Sequence, residues 1–305
     1  MTENFICLLC KSLGQYEVVS ESIRDDPMCY FKIVRCLTCG HIQIDPLPQL
    51  DDDLKFYQSN SQTKLAMGEV DYSIEEKKSI VDTTRRVKWL NSISPANNKI
   101  KVLDIGCGYG FFVNALSIMG YTATGIDISI DRLTFAQSHL KGSYINGTID
   151  RSFISKNKNF YDFVTLFHVL EHVHDPVNFL KLIYRLLAPG GKLLIEVPNV
   201  NDELVKKIEP YQKFYWQRAH LSYFDKPRLE LAFRRANFKI FTILGLQRYG
   251  LRNLLHWLDT GKPQLKNPDY YLTEPAIAYF ENEYGLMKER NMTSDTMIAE
   301  VFKSN

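Results

Sequence analysis

Four groups of residues in this 305-residue chain have the types and spacing to do chemistry. The first is the pair of knuckles Cys7-x-x-Cys10 and Cys36-x-x-Cys39. Each C-x-x-C unit places two thiolates on one tight turn, and two such units 25 residues apart can close a tetrahedron around one ion. Zinc suits four thiolates, and four ligands leave it no open position, so the site reads as structural. The opening Met1-Thr-Glu-Asn-Phe5 lacks the basic start and long apolar stretch of a secretory signal, which favours thiolate ligation over disulfides. Cys29 and Cys107 fall outside the pattern; Cys107 reads as a small packing residue.

The second group is Asp104-x-Gly106-x-Gly108-x-Gly110, between an apolar run and a helical one. Glycines are needed where the chain turns sharply and a ligand must touch its backbone. The helix start beyond offers unpaired N–H groups and a positive dipole end, suited to a carboxylate. Asp127 follows Gly110 by 17 residues, near the spacing at which an acid holds a ribose diol. A dinucleotide site would need its third glycine at 111, where the residue is Phe111. Asp104, ahead of the turn, can instead serve an amino acid ammonium.

The third group, His168-Val-Leu-Glu171-His172, fits the H-x-x-E-H pattern of an inverted zinc peptidase. That chemistry needs a long helix and a further ligand downstream. Here the pattern begins where a strand ends, and Pro176 follows His172 by four residues. His168 and Glu171 are therefore expected to border a pocket, and His174 to sit at the surface. The fourth group is the aromatic run Tyr211–Phe224 with His220 inside it; a histidine can take a proton at neutral pH.

These residues need elements to hold them. Strands are expected at 101–105, 122–127, 143–145, 161–167, 192–197, 238–244 and 295–302. Helices are expected at 111–119, 130–139, 176–187 and 226–236. This alternation predicts an α/β fold, a doubly wound, mostly parallel seven-stranded sheet covered on both faces. Residues 1–50 read as a small zinc-binding module, too short to fold without a staple. Residues 51–98 read as a helical linker, and 99–305 as the main domain with a helical insertion at 246–293. The 295–302 strand is expected to pair beside the 238–244 strand, both at the sheet edge.

A formal net charge of +2 and 24% charged residues point away from nucleic acid, and no apolar run suggests a membrane span. A cytoplasmic protein is the expectation.

Residues 100–200 resemble the class I S-adenosylmethionine-dependent methyltransferases. The resemblance rests on the 104–110 turn, on Asp127 at the ribose position, and on Phe167–Val173 and Leu187–Asn199 after the fourth strand and around the fifth. It implies a Rossmann-like methyltransferase fold and S-adenosylmethionine held by Asp104, Gly106, Gly108, Gly110, Asp127, Ile128, Thr148 and Ile149. His168 and Glu171 would border its methionine end. Many relatives have an acid at 147–149, where this chain has Gly147-Thr148-Ile149 with Asp150 one step later. The knuckle Cys36-Leu-Thr-Cys-Gly-His41, then Pro46-Leu-Pro48 and Phe56-Tyr57, is similar to the zinc domain of sugar C-methyltransferases. In that group a histidine before a Tyr-Phe pair serves as base beside a glutamate. His220 precedes Tyr223-Phe224 here, with Ala219 in front of it.

The resulting expectation is a methyltransferase acting on a small polar acceptor, a sugar nucleotide or glycan precursor, with oxygen methylation ahead of carbon and His220 as base. One rival is methylation of RNA or protein docked by the zinc module. It would want a basic stripe, and residues 1–50 carry only Lys11, Arg24, Lys32 and Arg35. The other rival is a non-catalytic adaptor of the same fold.

Overall fold

The computed structural model describes residues 5–26, 28–49, 72–264 and 274–304. Its strands are β1 (Tyr16–Ser20), β2 (Lys32–Cys36), β3 (Ile42–Asp45), β4 (Lys101–Ile105), β5 (Thr122–Asp127), β6 (Ser143–Asn146), β7 (Tyr161–Phe167), β8 (Leu187–Pro198), β9 (Ser222–Tyr223), β10 (Ile240–Leu246) and β11 (Thr296–Phe302). They form a four-stranded sheet in the order β1-β2-β3-β9 and a seven-stranded sheet in the order β10-β11-β8-β7-β4-β5-β6. The chain divides into two compact units. One holds Met1–Leu47, His168–Leu180 and Ile195–Val301; the other holds Pro48–Phe167, Lys181–Leu194 and Phe302–Asn305.

The second of these units carries the βα alternation. β4 pairs in parallel with β5 and β7, and β5 with β6, aligning Val102 with Ala123 and Phe163, and Thr124 with Ser143. Such strands are buried on both faces, which is why 101–105 and 161–167 read as near-continuous apolar runs. The helix Phe111–Met119 starts after Gly110 at φ 79° and ends at Gly120, whose N–H caps the carbonyls of Leu116 and Ser117. It buries Phe112, Val113 and Leu116 on one stripe. They join Val87 and Leu90 of the helix Tyr72–Ile93, and Val102, Tyr121, Ala123, Phe163 and Leu194, in one core.

The first unit is built around the four-stranded sheet. β1, β2 and β3 are antiparallel, and β3 adds β9 through Ile42 with Tyr223 and Gln43 with Ser222. Its core gathers Ile33, Ile42 and Ile44 with Trp216, Leu221, Tyr223 and Trp257. Lys288 is fully buried here, its Nζ 2.9 Å from Asp202 Oδ1.

Several expectations need correction. The 1–50 segment shares its sheet and its core with residues 200–257, so it is not a free-standing module. The reason is β9, a two-residue strand that exists only by pairing with β3. β11 lies between β10 and β8 in the sheet, so only β10 is an edge there. β8 starts at Leu187, not 192, because Gly191 lets the backbone run close to Tyr161 and Ala188 carbonyls where a Cβ would be 2.9–3.0 Å away. β10 starts two residues late, since Asn237 takes a left-handed turn and Phe238 N donates to Phe233 O in closing the preceding helix. The linker residues 51–71, with Phe56 and Tyr57, lie outside the described residues, as does 265–273 of the insertion. The insertion's described part contains the helices Leu251–Thr260 and Glu274–Arg290.

Candidate functional site

The glycine turn is fixed by backbone geometry. Gly106, Gly108 and Gly110 all have positive φ, at 73°, 55° and 79°, a region that costs other residues about 1–2 kcal/mol. At Gly110 a Cβ would also meet Tyr144 Cε1 at 2.5 Å. At Gly108 a Cβ would meet no atom of the described residues within 4 Å, its two chain neighbours aside. Gly110 is thus needed by the fold, whereas Gly108 keeps an open space beside the backbone.

The acid at the end of β5 holds the same backbone. Asp127 is buried, and its Oδ2 accepts the Gly108 N–H at 2.8 Å while Oδ1 accepts the Ser129 N–H at 2.8 Å. Two backbone donors orient the carboxylate and leave lone pairs for a ligand's hydroxyls. Asp104 is buried too, and Thr165 Oγ1 donates to its Oδ1 at 2.6 Å. The loop after β6 is tied to the same acid, since Gly147 N donates to Asp127 O at 2.9 Å. Asn146 Nδ2 donates to Ile128 O at 3.2 Å, Thr148 is exposed and Ile149 buried. Asp150 is an N-cap here: its Oδ1 accepts Phe153 N at 2.7 Å and caps the helix Arg151–Lys156. Burial, with Asp104 and Asp127 nearby, pushes the Cys107 thiol up, so it is a packing residue and not a nucleophile.

The four cysteines come together as the spacing predicts. Cys7 and Cys39 sulfurs lie 3.6 Å apart, Cys10 and Cys36 sulfurs 3.7 Å, and all four lie within 4.8 Å of one another. Four sulfurs on one tetrahedral zinc at about 2.3 Å would stand roughly 3.8 Å apart, whereas a disulfide needs about 2.05 Å. The cluster fits a four-thiolate metal site. Ser12 Oγ adds polar contacts to Cys10 at 3.0 Å and Cys36 at 3.2 Å, the kind of outer support that orients metal ligands.

A third cluster, in the first unit, gathers His168, Glu171, His172 and His220. Leu170–His172 is a single 3-10 turn, so the H-x-x-E-H pattern has no α-helix. The backbone closes it onto the later segment: Leu221 N donates to Glu171 O at 2.8 Å, and His172 Nδ1 meets Ala219 O at 2.7 Å. The His172 and His220 rings stand 4.9 Å apart, edge to face. His168 has φ 57°, an uncommon conformation for a non-glycine residue and one that often marks function. Arg248 Nη1 reaches His168 Nε2 at 3.1 Å, and His168 Nδ1 lies 3.3 Å from Glu171 Oε1. His220 is buried beside Gln217, whose Nε2 is 2.8 Å from His220 Nε2; burial, then the neighbouring His172, push its pKa down to about 3.

Sequence reasoning singled out His168, Glu171 and His220, set His172 aside with the H-x-x-E-H pattern, and named neither Arg248 nor Glu196, which lie beside His168. Glu196, fully buried within the apolar run of β8, was visible as a charge in a strand that should carry none. Arg248 left no local signal. It also lines a cavity of about 880 Å³ in the first unit, with Tyr211, Phe214, Tyr249, Arg252 and Trp257.

Known proteins supply an independent comparison. The family described as a methyltransferase domain matches residues 81–243, more than half of the chain. The ubiquinone biosynthesis O-methyltransferase of Pseudomonas putida is 34% identical over 123 residues, covering 39% of this chain and 52% of that protein. The protein of the same name from Thiobacillus denitrificans is 35% identical, covering 38% and 51%. The chain thus spans about half the length of these curated relatives. A SAM-dependent methyltransferase structure from Archaeoglobus fulgidus matches with a TM-score of 0.53 at 18% identity, covering 77% of this chain and all of that one, which is a likeness of fold. The glycine turn, the acid that closes it and the parallel sheet beneath are accounted for together: the chain belongs to the methyltransferase domain family.

Proposed function

We propose that the chain is an S-adenosylmethionine-dependent methyltransferase that methylates an oxygen of a small polar acceptor, a sugar nucleotide or related glycan precursor. The observation that carries the cofactor is the open space at Gly108, whose backbone N–H is held by the buried Asp127 carboxylate. When bound, the cofactor supplies an electrophilic methyl group on sulfur. Asp127 would hold its ribose hydroxyls, Gly106 and Gly108 would admit it against the backbone, and Ile128, Thr148 and Ile149 would flank its base.

The acceptor belongs to the cavity of the first unit. A volume near 880 Å³ suits one molecule of nucleotide-sugar size, with aromatic faces from Tyr211, Tyr249 and Trp257 for a ring and the guanidinium groups of Arg248 and Arg252 for an anion. Oxygen is favoured over carbon because the curated relatives are named as O-methyltransferases. His220 is the residue on which loss of the acceptor's proton depends. With a pKa near 3 it is neutral at pH 7, and Glu171 and His172 stand beside it. The four cysteines hold a structural zinc, which stabilises the sheet that β9 completes.

The test is a screen of nucleotide sugars, with phenolic acceptors beside them, for a cofactor-dependent mass gain of one methyl group. Transfer to a nucleotide sugar is the expected result; transfer to phenols alone would overturn the acceptor. Full turnover by His220→Ala would remove His220 from the chemistry.

A further inference from the structure

Glu171 is 1% exposed, and neither carboxylate oxygen has a hydrogen-bond partner among the described residues. Burying a carboxylate costs several kcal/mol unless a cation or donors compensate it. One oxygen of Glu171, one ring nitrogen of His172 and one of His220 all lie within 4.8 Å of each other. The tautomers of the surrounding histidines are set by one-way partners. The Ala219 carbonyl can only accept, so His172 carries its proton on Nδ1 and keeps its lone pair on Nε2. Arg248 can only donate, so His168 Nε2 accepts and Nδ1–H faces Glu171 Oε1 at 3.3 Å.

We propose that Glu171, His172 and His220 form a second metal site, which takes a divalent first-row cation and leaves open positions for the hydroxyl oxygen of the acceptor. Two histidines and one carboxylate are the donor set of open zinc and iron sites, whereas the four cysteines make a closed one. The three ligands come from the 3-10 turn Leu170–His172 and the loop before β9, and two backbone-anchored bonds hold those segments together: Leu221 N to Glu171 O, and His172 Nδ1 to Ala219 O. The role of the site toward the acceptor rests on the methyltransferase reading; the binding of the cation does not. His220 then acts as a ligand, a role that requires the Gln217 amide, 2.8 Å from its Nε2, to give way to the cation.

The experiment counts metal on the full-length protein after dialysis against zinc, and repeats the loading with cobalt. Two equivalents per chain are expected. The cobalt spectrum should show intense thiolate charge-transfer absorption from the cysteine site and weaker ligand-field bands from a nitrogen and oxygen site. His172→Asn and Glu171→Gln should each lose one equivalent and those bands, and keep the thiolate absorption. A wild-type protein that holds one equivalent, all of it on thiolates, overturns the proposal whether or not the variants fold. So does a second equivalent that persists in both folded variants. Methyl transfer by protein holding metal on its cysteines alone would remove the second site and keep the methyltransferase reading. Two equivalents with no transfer to any acceptor would do the reverse.

Discussion

Replacing Gly108 with alanine adds one methyl group to a backbone held at φ 55°, where no atom of the described residues, chain neighbours aside, lies within 4 Å of the new Cβ. The fold pays only for the left-handed conformation, about 1–2 kcal/mol, partly offset by roughly 0.4–1 kcal/mol from a stiffer unfolded chain. A net loss near 1 kcal/mol lowers the melting temperature by about 2–4 °C in a chain of this size. Cofactor binding should suffer more, because the methyl group occupies the space assigned to the ligand. Even 1.4 kcal/mol of lost fit is tenfold in affinity, so a loss of at least about tenfold is expected. Gly120→Ala is the control: its φ is 101°, its Cβ also meets nothing within 4 Å, and it caps the far end of the same helix. Thermal unfolding and calorimetry with S-adenosylmethionine, run on both variants, separate the two effects. A small loss of stability in Gly108→Ala and a larger one in Gly120→Ala, whose φ lies outside the left-handed region open to alanine, with binding lost only in Gly108→Ala, are expected. Unchanged binding in Gly108→Ala would refute the assignment of that space to the cofactor.

Further outcomes follow from other parts of the molecule. Cys36→Ser removes one of four thiolates and should release zinc and lower stability by several kcal/mol, out of the roughly 10–16 kcal/mol such sites contribute, read by a chromogenic chelator and urea unfolding. Lys288→Ala leaves the Asp202 carboxylate buried without its partner and should cost about 3–5 kcal/mol in the same unfolding assay. Asp295 has its pKa raised to about 6, chiefly by burial and against the backbone N–H of Tyr249, with Asp202 adding to the rise. A folded pKa above the unfolded 3.8 means the contribution is present below pH 3.8 and lost as pH rises through 6. Asp295→Asn should therefore flatten a decline of about 3 kcal/mol between those limits, measured by urea unfolding across the range.

The donor half of the protein was legible because it is local. β4, the glycine turn and the helix Phe111–Met119 are consecutive, and the apolar runs at 101–105 and 161–167 carry the signature of buried parallel strands. The cysteine knuckles were legible for the same reason: spacing alone brings each pair together. What escaped depends on pairing across the chain. β1 carries an alternation of only five residues, and its place comes from its antiparallel pairing with β2. β9 is two residues long and exists because Ile42 and Gln43 offer it an edge. His172 was set aside with the H-x-x-E-H pattern since no helix could present it; the structure supplies His220 from 48 residues downstream instead. The β11 position inside the sheet is likewise a matter of topology, which periodicity does not encode.

Calorimetric titration of the full-length chain with S-adenosylmethionine, repeated with Asp127→Ala, tests the central claim most directly. Saturable binding at one site per chain, weakened strongly when the Asp127 carboxylate no longer closes on the Gly108 N–H, is the predicted result. A folded wild-type protein that takes up no S-adenosylmethionine, or one that binds it equally well without Asp127, would contradict the account.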